Sequence, residues 1–133
     1  MSPILIIDDD TDYGAYLAEL LAREDVPALV FSSARTALAR IEQQPVAAIV
    51  TDIMMPDMDG IELVRAVRRR NRNLPILVLS GYGSDVADVY LKAAVAVGAT
   101  FTGRKGKDDA ALLRALTGVV DFHRNVQRRS RGL

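Results

Sequence analysis

The sequence predicts an α/β domain of (βα)5 architecture, a doubly wound five-stranded parallel sheet, and three observations carry that expectation. Five short apolar runs rich in β-branched residues recur at even spacing, with segments of helical periodicity between them. Half of the residues are hydrophobic but only 5% are aromatic, so the core is Val, Leu, Ile and Ala, as suits helices packed on a parallel sheet. Acids, a serine and a lysine gather at the carboxyl ends of the runs.

The expected strands are Pro3–Ile7, Val26–Phe31, Val46–Thr51, Pro75–Leu79 and Ala99–Thr102. After the first, Tyr13, Tyr16, Leu17, Leu20 and Leu21 repeat with the spacing of one helix face. Ala37, Leu38 and Ile41 follow the second strand, and Ile61, Val64 and Val67 the third. Val86, Val89, Tyr90, Ala93, Ala94 and Val97 form another strong stripe, in which Val89, Ala93 and Val97 are expected in the core. Leu112, Leu113, Leu116, Val119 and Val120 close the series. Alternating strands and helices pair in parallel through right-handed crossovers, and such sheets bind ligands outside the carboxyl ends of their strands. Asp8, Asp9, Asp52 and Ser80 fall at or just past those ends, and the fifth run delivers Lys105 to the same rim.

A chain of 133 residues holds one domain with a real core. It is expected over residues 1–120, followed by a basic C-terminal tail or linker over 121–133, where four arginines face one acid. Overall, 17 basic residues balance 17 acidic ones, so no global field draws the molecule to nucleic acid or anionic lipid. The absence of cysteine excludes a disulfide framework, a thiolate metal site and a Cys nucleophile. The N-terminus runs straight into the first strand without a basic leader, and no apolar run is long enough to span a bilayer, which leads to an expectation of a cytoplasmic protein.

Three carboxylates about 4 Å apart repel one another by roughly 4 kcal/mol per pair at an effective dielectric of about 20. Such a site needs a cation or a raised pKa. A few oxygen ligands suit Mg²⁺, which keeps several waters and leaves positions for phosphate oxygens. A metal there neutralises charge on an incoming phosphoryl group and lets a carboxylate attack phosphorus. The competing role for acids here is helix capping, worth about 0.3 to 1 kcal/mol each. Asp10 and Asp12 are assigned to capping, whereas Asp8 and Asp9 still belong to the strand end and are read as metal ligands. Asp59 is the expected N-cap of the helix that Gly60 opens.

The segments ILIIDDD, TDIMMPDMDG and ILVLSG, followed by a lysine after the fifth run, resemble the receiver domain of two-component response regulators, the CheY-like domains. The resemblance covers residues 3–120 and implies the flavodoxin-like strand order 2-1-3-4-5. It implies that Asp52 is the phosphoacceptor, taking its phosphoryl group from a sensor histidine kinase or phosphotransfer protein. Asp9, Asp52 and the Met54 main-chain carbonyl would bind Mg²⁺ directly, and Asp8 mostly through water. Ser80 would donate its hydroxyl to the phosphoryl group and Lys105 would pair with it. An output partner, unnamed by the sequence, would meet the face of the fourth helix, fifth strand and fifth helix, and a homodimer is compatible with the pattern. Self-phosphorylation and slow self-dephosphorylation would be its only chemistry, so no enzyme is expected.

The segment GATFTGRKGK departs from the family pattern. Counted without a gap from Gly98, Lys105 takes the lysine position, but Gly106 replaces the proline that usually follows, so the cis Lys-Pro bond is lost. Phe101 stands one residue before the place of the family's mobile aromatic, which Thr102 occupies. A one-residue deletion would restore Phe101 and bring Arg104 to the phosphate; the ungapped reading, with Lys105, is preferred. Met54 and Tyr82, each two residues past a site residue, are expected to shield the acyl phosphate from water.

Arg68, Arg69, Arg70 and Arg72 read as a basic run favourable at a helix C-terminus. His123, the single histidine, lies beyond the matched region and is not given a phosphotransfer role. Arg124, Arg128, Arg129 and Arg131 extend the last helix, contact a partner or belong to a linker. Two rival functions remain: a degenerate receiver that binds protein without carrying phosphate, kept open by Gly106, and a Mg²⁺-dependent phosphohydrolase with an aspartate nucleophile. Against the second, Thr11 falls one residue too early after Asp8 for the hydrolase pattern, and the chain has no room for a substrate-selecting cap.

Overall fold

The computed structural model describes residues 2–81 and 84–130. The elements run β1 (Ile4–Ile7), α1 (Thr11–Ala22), β2 (Ala28–Phe31), α2 (Ala34–Gln43), β3 (Ala48–Asp52), α3 (Gly60–Arg70), β4 (Ile76–Ser80), α4 (Ser84–Val97), β5 (Phe101–Arg104) and α5 (Asp109–Ser130). All strand pairs are parallel, and the sheet order is β2-β1-β3-β4-β5, as expected. The chain leaves β1 for one side of the sheet and β3 for the other, so the crevice of this doubly wound fold opens between the carboxyl ends of those two strands.

Alternation along the strands builds two cores. Leu5, Ile7, Ile49, Ile76 and Val78 face α2, α3 and α4, meeting Ala37, Leu63, Val64, Val67 and Ala94. Ile4, Ile6, Val50, Leu77 and Leu79 face α1 and α5, meeting Leu17, Leu21, Leu113, Leu116 and Val120. Both faces are covered, which is why the central strands read as unbroken apolar runs. Burying each of these side chains contributes about 1.5 to 3 kcal/mol before conformational entropy is charged against it.

The strand limits shift from expectation in a consistent way. β3 and β4 each run one residue further, to Asp52 and Ser80, so both polar residues belong to their strands. β5 lies two residues later than the apolar run, because Thr100 bonds Ile76 through both its backbone N–H and its side chain before the ladder begins.

Of the expected core positions of α4, Val97 packs partly buried against the core and Ala93 is half-buried, but Val89 needs correction. Val89 is 67% exposed and Val86 is also exposed, whereas Ala87 and Ala94 are fully buried. Valines and alanines surround this helix, so apolar spacing alone does not fix its phase; the small alanines approach the sheet more closely than valine permits. α5 shows no break at residue 120 and continues as helix to Ser130, the first of the three readings of the basic segment. Arg131 and Tyr82 lie outside the described residues.

Candidate functional site

The site is assembled by register. Ile7 pairs with Thr51, so the next residues, Asp8 and Asp52, emerge side by side at the switch point. Asp52 pairs with Leu79, and Ser80 with Arg104, which places Lys105 one step beyond Ser80. The Lys105 backbone N–H donates to the Ser80 carbonyl at 2.9 Å, continuing the ladder past the strand end.

The Lys105 ammonium lies 2.7 Å from Asp8 Oδ2 and 3.2 Å from Asp52 Oδ2. Asp8 is nearly sealed, and its Oδ1 accepts the Asp10 backbone N–H at 2.9 Å. Asp52 Oδ1 accepts the backbone N–H of Ile53 at 2.9 Å, leaving Oδ2 towards the lysine. Carboxylate oxygens of Asp8, Asp9 and Asp52 lie within 4.8 Å of one another, the spacing and all-oxygen donor set that a small divalent cation takes. Asp9 is the exposed member, open to solvent and to an incoming ligand.

One ammonium cannot neutralise two acids, and the titration of the site reflects that. Burial lifts the Asp52 carboxyl above its ordinary value, the charge of Asp8 adds to the rise, and Lys105 pulls it back only in part. Burial alone would depress Lys105, but its hydrogen bond to Asp8 and the charge of Asp52 outweigh that and hold it protonated above its ordinary range. Excess negative charge at the rim therefore favours a cation.

The remaining expected residues fall into place unequally. Ser80 is buried at the end of β4, on the same rim. The Arg104 guanidinium pairs with Asp88 of α4 at 2.6 Å, which turns it from the acids and leaves Lys105 as the cation between them. Phe101 packs with the α1 and α5 core, and Thr102 lines a hollow of about 320 Å³ with Asp88, Leu91, Lys92 and Val95. The gapped alignment would need Phe101 on the α4 side, and the structure puts it on the other. Met54 is 43% exposed on the loop after Asp52.

Asp10 caps α1 by accepting the Tyr13 N–H at 3.1 Å, and Asp12 lies in its first turn. Asp59 caps α3 in a reciprocal box with Glu62. Gly60 has a further reason to be glycine: a Cβ there would stand 2.2 Å from the Asp52 carbonyl oxygen, while its own N–H donates to the Ile53 carbonyl at 2.7 Å. α3 thus begins in contact with the backbone that carries Asp52. Gly81 has no such need, since a Cβ there would make an ordinary 3.5 Å contact with Lys105.

Three contributors were not legible in the sequence. Arg68, read there as helix-end charge, donates from Nε to the Gly98 carbonyl at 2.8 Å and ties α3 to the approach to β5. Tyr13, read as part of an apolar stripe, lies beneath the Lys105 ammonium, 4.9 Å from its ring centre. Asp109, the first residue of α5, is buried and reaches back to the Gly106 N–H at 3.0 Å. Arg68 and Tyr13 act across contacts far apart in sequence, while Asp109 closes a local turn.

The fold and its acidic, lysine-bridged crevice define a doubly wound domain with a ligand site at the switch point. Residues 4–117 match the response regulator receiver domain, and the chain belongs to that family. CpdR, a response regulator receiver protein of Brucella abortus (strain 2308), is 32% identical over 84 residues, 63% of this chain and 70% of that protein. The transcriptional regulatory protein FixJ of Azorhizobium caulinodans is 32% identical over 115 residues, which is 86% of this chain but 53% of FixJ. A CheY-like receiver domain protein from Methanospirillum hungatei JF-1 superposes with a TM-score of 0.81 at 26% identity, covering 94% of this chain and 98% of that one. The chain is thus a phosphorelay receiver domain, and among the described residues no helix is long and apolar enough to cross a membrane.

Proposed function

We propose that Asp52 is the phosphoacceptor of this receiver. The observation that carries the reading is the Asp52 carboxylate oxygen at the switch point, 3.2 Å from Lys105 and beside Asp8 and Asp9. Asp52 Oδ2 attacks the phosphorus of a phosphohistidine on a sensor kinase or phosphotransfer protein. The P–N bond breaks, its electron pair returns to the imidazole, and the product is an aspartyl phosphate. Asp9, Asp52 and the Met54 carbonyl would hold Mg²⁺ directly and Asp8 mostly through water, and the ion would offset the charge of the acids and of the phosphoryl oxygens. Lys105 moves from the carboxylates to a phosphoryl oxygen, and the Ser80 hydroxyl donates to another.

The aspartyl phosphate carries about −1.5 to −2 charge where the carboxylate carried −1, and it extends that charge towards β4 and β5 in a pocket already rich in acid. That charge draws in Lys105 and Ser80, and with them the ends of β5 and β4. Arg104, next to Lys105, connects this movement through Asp88 to α4, whose exposed Val86, Val89 and Val95 offer apolar surface to an output partner or a second copy of the chain. Family membership and the intact acid corner favour this reading over a phosphohydrolase or a receiver that carries no phosphate.

The test is incubation with acetyl phosphate and Mg²⁺ followed by intact-mass measurement of the wild type and Asp52→Ala. One phosphoryl group per chain, absent from the variant and from samples with excess chelator, is expected. An adduct retained in Asp52→Ala, or none with any donor, would overturn the assignment.

A further inference from the structure

Lys105 lacks the following proline, so something else must hold it. Its side chain is only partly exposed and is gripped at the tip by Asp8 and Asp52. The turn behind it is permissive: Gly106 has φ +79°, and Asp108 also has a positive φ of 57°. A stretch with two left-handed residues, one of them glycine, does not fix the preceding side chain by itself.

Two side chains close on this turn. Both Asp109 oxygens accept the Gly106 backbone N–H, at 3.0 and 3.1 Å, although Asp109 is only 5% exposed. A buried carboxylate retained for one backbone N–H is costly unless the turn it fixes matters. Tyr13 approaches from α1, with its ring face under the Lys105 ammonium. Its hydroxyl is buried without a well-formed hydrogen bond and lies towards Asp109 and the Gly106 backbone. Burial first, and Asp109 next, raise its pKa far above the phenol range, so the hydroxyl stays protonated and never competes with Lys105 as an acid.

We propose that Tyr13 and Asp109 are positioning residues for Lys105, forming a side-chain cradle that takes the role of the missing proline. The ring attracts the ammonium, and Asp109 fixes the backbone from which the side chain starts. When Lys105 swings to a phosphoryl oxygen, the ring limits its path and keeps it within reach of the site. This inference rests on the reading of Asp52 as phosphoacceptor.

The experiment measures the rate of phosphorylation by acetyl phosphate and, separately, Mg²⁺ affinity by NMR titration of the Asp9 and Asp52 amides. Tyr13→Leu is expected to slow phosphorylation by about fivefold, the size that one cation–π contact supports, with Mg²⁺ affinity unchanged. Tyr13→Phe keeps the ring and stays within about twofold of wild type. Asp109→Asn slows the reaction in the same direction. In a Lys105→Ala background, Tyr13→Leu and Asp109→Asn have no further effect, because their influence passes through the lysine. Equal losses in both backgrounds, or a Tyr13→Leu rate equal to wild type, would overturn the cradle. Thermal melts identify any variant that fails to fold, in which case the milder Tyr13→Phe and Tyr13→Met pair decides, Met being expected to lose rate and Phe to keep it. Failure of the wild type to accept phosphate would instead refute the assignment of Asp52, so the two failures are distinguishable.

Discussion

The Lys105 ammonium stands closer to Asp8 than to Asp52, at 2.7 against 3.2 Å, so a single cation bridges two carboxylates and leaves Asp52 the less neutralised of the two. If Asp52 takes the phosphoryl group as proposed, the lysine stands within a short movement of it.

The uncompensated charge is expected to cost stability. Asp52 is raised above its ordinary 3.8 in the folded state, so the folded chain keeps this proton to higher pH than the unfolded chain does. The stability it subtracts is absent below the unfolded pKa, grows as pH rises through the folded pKa, and is complete above it. Asp52→Asn should therefore raise Tm by a few degrees at about pH 7.5 in chelator, with the gain shrinking towards about pH 4. Melting curves across that range check it; a gain independent of pH would point to packing rather than charge.

Lys105 and Arg104 should separate cleanly. Lys105→Ala removes a charge-assisted contact to the phosphoryl group and should slow phosphorylation by about tenfold or more. Arg104→Ala, which loses the Asp88 pair, should change the rate by less than about twofold, since half-exposed ion pairs contribute little. Acetyl phosphate kinetics on both variants decide, and the opposite ranking would restore the gapped alignment.

Gly60→Ala should destabilise the domain by about 2 to 3 kcal/mol, because the added methyl meets backbone that cannot yield. Denaturant unfolding measures it. A cost below about 0.5 kcal/mol would mean that α3 does not bear on the Asp52 strand end as described.

Arg68→Ala should cost about 1 to 2 kcal/mol, because the Gly98 carbonyl loses its donor. Its guanidinium also donates to the Asn71 carbonyl at 3.1 Å and the Thr100 hydroxyl at 3.4 Å, so several directed bonds depend on its planar fork. Arg68→Lys should therefore recover little, as an ammonium cannot reproduce the Nε geometry. Full recovery by lysine in denaturant unfolding would show that charge alone mattered.

Met54→Ala should shorten the lifetime of the phosphorylated form severalfold, because the side chain stands at the open side of the loop after Asp52. The decay of the phosphorylated mass after removal of donor reads this out. An unchanged decay rate removes Met54 from the protection of the acyl phosphate.

Much of this was readable in advance, for physical reasons. The central strand runs are buried on both faces, so apolar content alone marked Pro3–Ile7, Val46–Thr51 and Pro75–Leu79, and missed only the polar last residues Asp52 and Ser80 that β3 and β4 add. The acid corner was legible because parallel order forces strand ends together whatever their separation in sequence. Asp10 and Asp59 declared themselves through local capping rules. The phase of α4 was not legible, since valine and alanine occur on all its sides and the buried line follows the sheet edge rather than the sequence. Arg68 and Tyr13 escaped because their partners are reached only through tertiary contact, Gly98 thirty residues on for the first and Lys105 for the second, whereas Asp109 closes a local turn onto Gly106 whose left-handed backbone the sequence does not mark.

The most direct test of the central claim is chemical mapping of the modified residue. Borohydride reduction converts an aspartyl phosphate to homoserine, and peptide mass spectrometry after reaction with acetyl phosphate and Mg²⁺ locates it. Homoserine at position 52 alone is the predicted result. Homoserine at Asp8 or Asp9, or a phosphorylated chain with none at position 52, would contradict Asp52 as the phosphoacceptor.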